Sequence, residues 1–83
     1  MRNPLLNSAI IRVLARLDPV PVRRDTLAAE IDIALAEPVT TVAFDAALAD
    51  LRHGGWVAVG EDRLLGCRTV ALTAKGRKEA ARL

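Results

Sequence analysis

The chain has 83 residues, of which 52% are hydrophobic and 27% are charged, and its formal net charge is +2. These values predict one small globular domain with a single core, and they exclude a disordered chain. No apolar run is long enough to span a bilayer, and the N-terminal residues lack the pattern of a signal peptide. We therefore expect a cytoplasmic protein.

Residues that carry catalytic or metal chemistry are few. Cys67 is the only cysteine, so it cannot form an internal disulfide, and no Cys/His cluster offers a metal site. We therefore expect no cofactor. His53 is the only histidine, and its place at a helix end suits an interaction with the helix dipole better than catalysis. The sequence predicts a protein that is not an enzyme.

Residues 3–17 are predicted to form the first helix, with Asn3 as its cap. Asn7, Arg12 and Arg16 are expected to face water, opposite a buried apolar stripe. That stripe consists of Leu6, Ile10, Val13, Leu14 and Leu17.

Two prolines between residues 18 and 22 end this helix, because proline disfavours helical geometry and removes a donor. They predict an extended connector with a short edge strand at 21–22. The second helix is predicted over about 24–36, and Ile33 falls outside its apolar face, so we expect Ile33 to be exposed or to meet a partner. That face consists of Leu27, Ala28, Ile31, Ala34 and Leu35.

The third helix follows a turn and is capped by Thr40 or Thr41. Gly54 and Gly55 end it, because glycine adopts the left-handed conformation that terminates helices. Its apolar face consists of Phe44, Ala47, Leu48 and Leu51.

Two short strands, 56–59 and 69–72, come next and predict a β-hairpin with a polar tip. Trp56 is expected to anchor the first strand against the helices. A fourth helix is predicted over 74–83 with Thr73 as its cap, and Gly76 weakens its first turn. The sequence thus predicts a mainly α protein with a small β-hairpin.

Two segments carry a resemblance to a known superfamily. "LADLRHGGWV" (48–57) resembles the end of the recognition helix in winged helix-turn-helix domains, and "VALTAKGRKEA" (70–80) resembles their last wing strand with the segment that follows it. The order helix, short strand, helix, helix, strand, wing, strand, helix is similar to that of MarR-, PadR- and ArsR-type regulators and of small phage-encoded winged-helix proteins. On this resemblance, residues 1–83 are a single winged-helix domain.

The resemblance implies sequence-directed binding of double-stranded DNA in transcription regulation, by a homodimer formed through the first and last helices. Leu5, Ile11 and Leu83 are the candidates for the apolar surface of that dimer. No membrane association is expected, because no apolar run is long enough to span a bilayer.

The charges are segregated along the sequence in a way that does not suit the third helix for DNA. Residues 24–51 contain one basic and six acidic residues, whereas the remainder contains eleven basic and four acidic residues. The outward face of the third helix is expected to carry no basic side chain. Its members are Val42, Ala43, Asp45, Ala46, Ala49 and Asp50. Asp45 and Asp50 would repel phosphates unless each took a specific role, such as accepting from a cytosine amino group.

Phosphate contacts are therefore predicted from the wing and from the starts of helices, where helix dipoles favour anions. The candidate nucleic-acid-binding residues are Arg23, Arg24, Thr40, Thr41, Arg63, Arg68 and Lys75. The alternative for each arginine is simple solvation, and the alternative for each threonine is a helix cap.

Two hypotheses follow. In the first, the protein is a DNA-binding regulator whose wing and helix starts contact the phosphate backbone, and its recognition of bases is weak or unusual. In the second, the winged helix serves as a protein-protein interaction module, because small apolar residues on the third helix suit the core of an interface. The interface residues in that case are Val42, Ala43, Ala46 and Ala49.

Overall fold

The computed structural model describes residues 4–64 and 66–83, and in these residues four helices and three strands follow one another. The helices are α1 (Pro4–Leu17), α2 (Arg24–Leu35), α3 (Thr41–His53) and α4 (Ala74–Arg82). The strands are β1 (Val22–Arg23), β2 (Val57–Asp62) and β3 (Cys67–Leu72), arranged as an antiparallel sheet in the order β1-β3-β2. This architecture confirms the predicted fold. None of these helices combines the length and apolar character needed to cross a membrane.

The core lies where the sheet meets the helices, and α1 supplies a large part of it. Its buried apolar residues are Leu6, Ala9, Ile10, Ile11, Val13 and Leu14. Because α1 packs against α2, α3, α4 and β3, its buried surface is wider than a single stripe. The prediction that Ile11 is a surface residue is therefore wrong, since its side chain is fully buried.

Two further predictions for α1 are also wrong. Leu17, expected in the buried stripe, is 41% exposed because it is the last residue of the helix. Asn7, expected in water, is fully buried, and neither its side-chain nitrogen nor its oxygen has a hydrogen-bond partner among the described residues. The predicted cap, Asn3, lies outside the described residues.

The predicted caps of α3 and α4 are confirmed. The Thr40 hydroxyl accepts a hydrogen bond from the Ala43 amide at 3.1 Å, and the Thr73 hydroxyl accepts one from the Gly76 amide at 3.1 Å. Thr41 is thus the first residue of α3 rather than its cap. These caps fix where α3 and α4 begin.

The hairpin is longer than predicted. Residues 60–62 continue β2, and Asp62 pairs with Cys67 at the far end of the ladder. Polar residues fit there because this end of the hairpin extends past the core and its side chains stay in water. The described residues between the two strands are 63, 64 and 66, and Gly66 adopts a φ of 66°.

Gly76 is a poor helix former, but the structure requires a residue without a side chain at this position. It is buried in the first turn of α4, and a Cβ atom at this position would lie 2.1 Å from the Trp56 carbonyl oxygen. Glycine therefore permits the close approach of α4 to the chain just before β2.

Candidate nucleic-acid interface

A depression of about 310 Å³ lies between α3 and the two long strands, and we call it the wing groove. The apolar part of its lining consists of Leu48, Ala49, Val59 and Val70. Three arginines and a carboxylate complete the polar part: Arg24, Arg52, Arg68 and Asp45. The fold thus brings together cationic side chains from α2, α3 and β3.

The alternation of β3 places Arg68 at the wing groove. Arg68 and the buried Val70 are two residues apart, so both lie on the sheet face that meets the helices. Arg68 pairs across the ladder with Glu61, beyond the core, and its side chain is exposed. A cation on this face projects towards the side of α3.

Arg24, the first residue of α2, pairs with Asp45 on α3. Its guanidinium also lies 5.9 Å from the centroid of the Phe44 ring. The Arg24 and Asp45 side chains are 32% and 48% exposed, so the pair is at the surface and holds the helices together only weakly. Its main consequence is electrostatic, because the negative charge of Asp45 is compensated locally.

A second depression, of about 430 Å³, shares Arg24 and Arg68 with the wing groove and lies at the N-terminal end of α3. Thr41 and Phe44 line it from α3, and Cys67 lines it from β3. Arg24, Thr41 and Arg68 therefore come together at the start of the third helix.

Three other candidates from the sequence line neither of these two depressions. Arg23 donates to the Cys67 thiol, with 3.4 Å between nitrogen and Sγ, and pairs with Asp25 at 3.7 Å. Arg63 is exposed at the tip of the hairpin. Thr40 is the α3 cap.

Lys75 lies at the opposite end of α3, about 20 Å from the α3 cap. Its ammonium donates to the Gly54 carbonyl at 2.6 Å and lies 4.4 Å from the Trp56 ring centroid. Lys75 thus completes the C-terminus of α3, where a cation is favoured. Trp56 packs against the core, and its amide donates to the Leu51 carbonyl at 3.0 Å.

Arg77, one turn into α4, is also engaged locally. Its Nε donates to both carboxylate oxygens of Asp18, at 3.1 and 2.9 Å. This hydrogen bond, together with the charge of Asp18, raises the pKa of Arg77 above its ordinary value. The contact ties α4 to the connector that follows α1.

Arg52 is a site residue that the candidate set omitted. It lies in the last turn of α3, seven residues after Asp45, and two helical turns bring the two side chains to the same side of the helix. The spacing from Asp45 was the signal in the sequence that could have identified Arg52. It indicates a shared side of α3, but only the folded position of the wing shows that this side faces the wing groove.

The strip of residues predicted for a protein interface is only partly exposed. Val42 is 80% exposed, and Ala46 and Ala49 are exposed. The expectation that Ala43 faces outward is wrong: it is half-buried and packs against the core, because it is four residues before the buried Ala47. The exposed strip is therefore Val42, Ala46 and Ala49.

In the residues that the structure covers, no three His, Cys, Asp or Glu side chains form a group that could hold a metal ion.

Comparisons with known proteins show which solved structures share this fold. No family model matches the sequence, and no curated protein matches it. Among solved structures, RosR of H. salinarum is 22% identical with a TM-score of 0.79, and the match covers 93% of this chain and 66% of that one. A MarR-family transcriptional regulator from Silicibacter pomeroyi is 21% identical with a TM-score of 0.75, over 93% of this chain and 47% of that one.

A third similar structure is SSV1 F-93, which is 27% identical with a TM-score of 0.71, over 92% of this chain and 79% of that one. The chain spans less than two thirds of the length of the first two proteins. One of the three, the MarR-family protein, is described as a transcriptional regulator. The chain has the winged helix-turn-helix fold of these proteins.

Proposed function

We propose that residues 1–83 form a single winged-helix domain that binds double-stranded DNA and acts in transcription regulation. The observation that carries this proposal is the convergence of Arg24, Arg52 and Arg68 on the wing groove, beside the third helix. Duplex DNA presents a dense line of phosphates, and arginine is well suited to contact them. The fold shared with transcription regulators supports the same proposal.

In this proposal the phosphate contacts come from two regions. Arg63 and Arg68 on the wing contact phosphates of one DNA strand. Arg23 and Arg24 contact phosphates at the start of α2. The Thr41 hydroxyl at the start of α3 donates to a further phosphate, where the helix dipole favours an anion. Thr40 and Lys75 contribute less, because both already hold a helix terminus.

The Arg24–Asp45 pair changes how α3 can meet DNA. Once compensated by Arg24, Asp45 repels phosphate less than its isolated charge would. However, the same pairing occupies the carboxylate that could accept from a base. We therefore propose that affinity comes mainly from backbone contacts and that specificity depends strongly on DNA shape.

The test is a titration of labelled duplex DNA at several salt concentrations, comparing the wild type with the double variant Arg63→Ala/Arg68→Ala. Each lost phosphate contact lowers the slope of log K against log salt by about 1, so the double variant should lose about 2. Arg52→Ala should lose about 1 by the same reasoning.

The matched control is Arg12→Ala, which removes an exposed arginine from α1, away from the wing groove. It should leave both the affinity and the salt slope within error of the wild type. Unchanged binding by the double variant would refute the proposed phosphate contacts. An equal loss in Arg12→Ala would show that only the overall charge matters.

A second candidate function is a protein interface on α3. It is favoured by the exposure of Val42, which is 80% exposed beside Ala46 and Ala49. These small side chains would let another helix approach closely. Ala46→Arg should disrupt an assembly formed through this strip while preserving the helix, and an unaltered assembly would exclude the strip.

We also propose that the domain forms a homodimer, with Leu83 at the end of α4 in its interface. Leu83 is 42% exposed, whereas Ile11, another of the three candidates for the dimer surface, is buried within the monomer. Sedimentation equilibrium of the wild type and of Leu83→Ser tests this. A monomeric wild type would refute the dimer.

A further inference from the structure

A groove on another side of the molecule has features that DNA binding does not use. It lies between α1 and α2, has a volume of about 510 Å³, and we call it the helix groove. Its lining runs from Leu5 to Arg16 on α1 and from Glu30 to Leu35 on α2. Leu5 and Arg16 are eleven positions apart on α1, which is about 16 Å of helix, so the groove extends over about three turns.

The helix groove exposes two large apolar side chains on its opposite walls. Leu5 on α1 is 79% exposed, and Ile33 on α2 is 74% exposed. Ala9, Val13 and Leu35 continue the apolar lining between them. Contiguous exposed apolar surface with a polar rim is typical of an interaction site.

The charges on the rim are unbalanced. Arg16 contacts Glu30, with 3.5 Å between nitrogen and oxygen. Arg12 is exposed and forms no ion pair within residues 4–64 and 66–83. The rim therefore carries one uncompensated positive charge beside an apolar floor.

We infer that the helix groove binds an amphipathic helix of another protein, with apolar residues at every third or fourth position and carboxylates along its flanks. The apolar stripe would cover Leu5 and Ile33, and a carboxylate would pair with Arg12. A partner helix of about three turns matches the length of the groove.

Charge also argues against a second copy of the chain as the occupant. Two copies would bring four arginines and two glutamates to the contact, since each supplies Arg12, Arg16 and Glu30. Like charges at an interface oppose association, whereas an acidic helix complements them.

The helix groove has no lining residue in common with the wing groove. A helix bound between α1 and α2 would therefore leave Arg52 and Arg68 accessible. The domain could hold a partner protein while it is bound to DNA, although the inference does not depend on DNA binding.

The test uses two synthetic peptides of about four helical turns, each with leucine at every third or fourth position. One peptide carries glutamate at its flanking positions, and the matched peptide carries lysine there. Fluorescence anisotropy gives the affinities, and amide chemical shifts of the isotope-labelled protein locate the binding surface. The glutamate peptide should bind at least about 10-fold more tightly and should perturb α1 and the second half of α2.

Variants of exposed groove residues test the contacts without removing core side chains. Leu5→Ser and Ile33→Ser should each weaken the glutamate peptide by about 10-fold, and Arg12→Glu should abolish the preference between the peptides. Val20→Ser is the matched control, since Val20 is 65% exposed but lies in the connector after α1, outside the helix groove. It should bind both peptides as the wild type does, and circular dichroism should confirm the fold of every variant.

Four outcomes would overturn the inference. They are failure of both peptides to bind, equal affinity for the two peptides, chemical-shift changes confined to α3 and the wing, and a homodimer that Leu5→Ser dissociates. The last outcome would identify a second copy as the occupant of the helix groove.

Discussion

Replacing Gly76 with alanine tests how closely α4 approaches the start of the wing. Helix propensity alone predicts that this change stabilises the protein by about 1 kcal/mol, since glycine is a poor helix former. The structure predicts the opposite. The new Cβ would lie 2.1 Å from the Trp56 carbonyl oxygen and 2.9 Å from a Leu72 methyl group.

The loss of stability in Gly76→Ala depends on which neighbouring groups must move to make room for the new Cβ. The Leu72 side chain can rotate, but the Trp56 carbonyl is backbone and accepts a hydrogen bond from the Thr73 amide at 3.1 Å. Overpacking a core position costs about 1–3 kcal/mol, and a contact with backbone belongs at the upper end. After the gain in propensity, we expect a net loss of about 2 kcal/mol in the free energy of unfolding. For a domain of this size, that lowers Tm by about 8–16 °C.

Calorimetry and urea unfolding measure this directly. Ala46→Gly, at an exposed position of α3, is the matched control, and it should lose only about 0.5–1 kcal/mol from backbone entropy. If Gly76→Ala raised the Tm, the close approach of α4 to Trp56 would be refuted, and helix propensity would be the dominant effect.

Three further substitutions test individual contacts. Asn7→Ala should stabilise the protein by about 1 kcal/mol in urea unfolding, because both polar atoms of the buried amide lack partners; a loss would reveal a partner such as buried water. Thr40→Ala should destabilise by about 1 kcal/mol through the lost α3 cap, and Thr40→Ser should retain most of that stability. Lys75→Ala should lower the Tm and leave the salt slope of DNA binding unchanged, because its ammonium holds the end of α3. A fall in that slope of about 1 would instead assign Lys75 to a phosphate.

The ends of the elements were predictable because local chemistry determines them. Thr40 and Thr73 cap their helices with their own hydroxyls, and of the two glycines that follow α3 it is Gly55 that adopts the left-handed conformation, with a φ of 81°. These interactions span three or four residues, so the sequence contains the whole arrangement. The same holds for the exposure of Ile33, which lies outside the stripe of its own helix.

Burial on α1 was less predictable because it depends on how many neighbours surround the helix. A single stripe describes a helix with one packing partner, whereas α1 contacts three helices and a strand. This accounts for the burial of Ile11 and Asn7 on the flanks of the predicted stripe. No pattern within residues 4–17 encodes the positions of α4 and β3.

The candidate site was only partly predictable, for a similar reason. Arg68 and Arg24 were identified from their positions on the wing and at a helix start. Their convergence with Arg52 depends on strand register and on the packing of α3 against the sheet. The ion pair between Asp45 and Arg24 could not be predicted either, because the two residues are 21 positions apart in the sequence.

The segregation of charge along the sequence does not persist in space. Three carboxylates of the acidic segment face arginines: Asp25 pairs with Arg23, Glu30 with Arg16, and Asp45 with Arg24. Asp32 accepts a hydrogen bond from the Val39 amide at 2.9 Å instead. Three of the six carboxylates of the segment are therefore compensated by arginines on the folded surface.

This compensation bears on how the wing groove would bind DNA. The field at its mouth depends mainly on Arg52 and Arg68, since Arg24 already has a carboxylate partner. A surface ion pair is worth less than about 1 kcal/mol, so a phosphate can replace Asp45 as the partner of Arg24. In the proposed complex with DNA, that exchange would leave the charge of Asp45 uncompensated beside the duplex, where it repels phosphates. The contact of Arg24 should therefore add less affinity than the contacts of Arg52 and Arg68, and affinity should depend mainly on those two arginines.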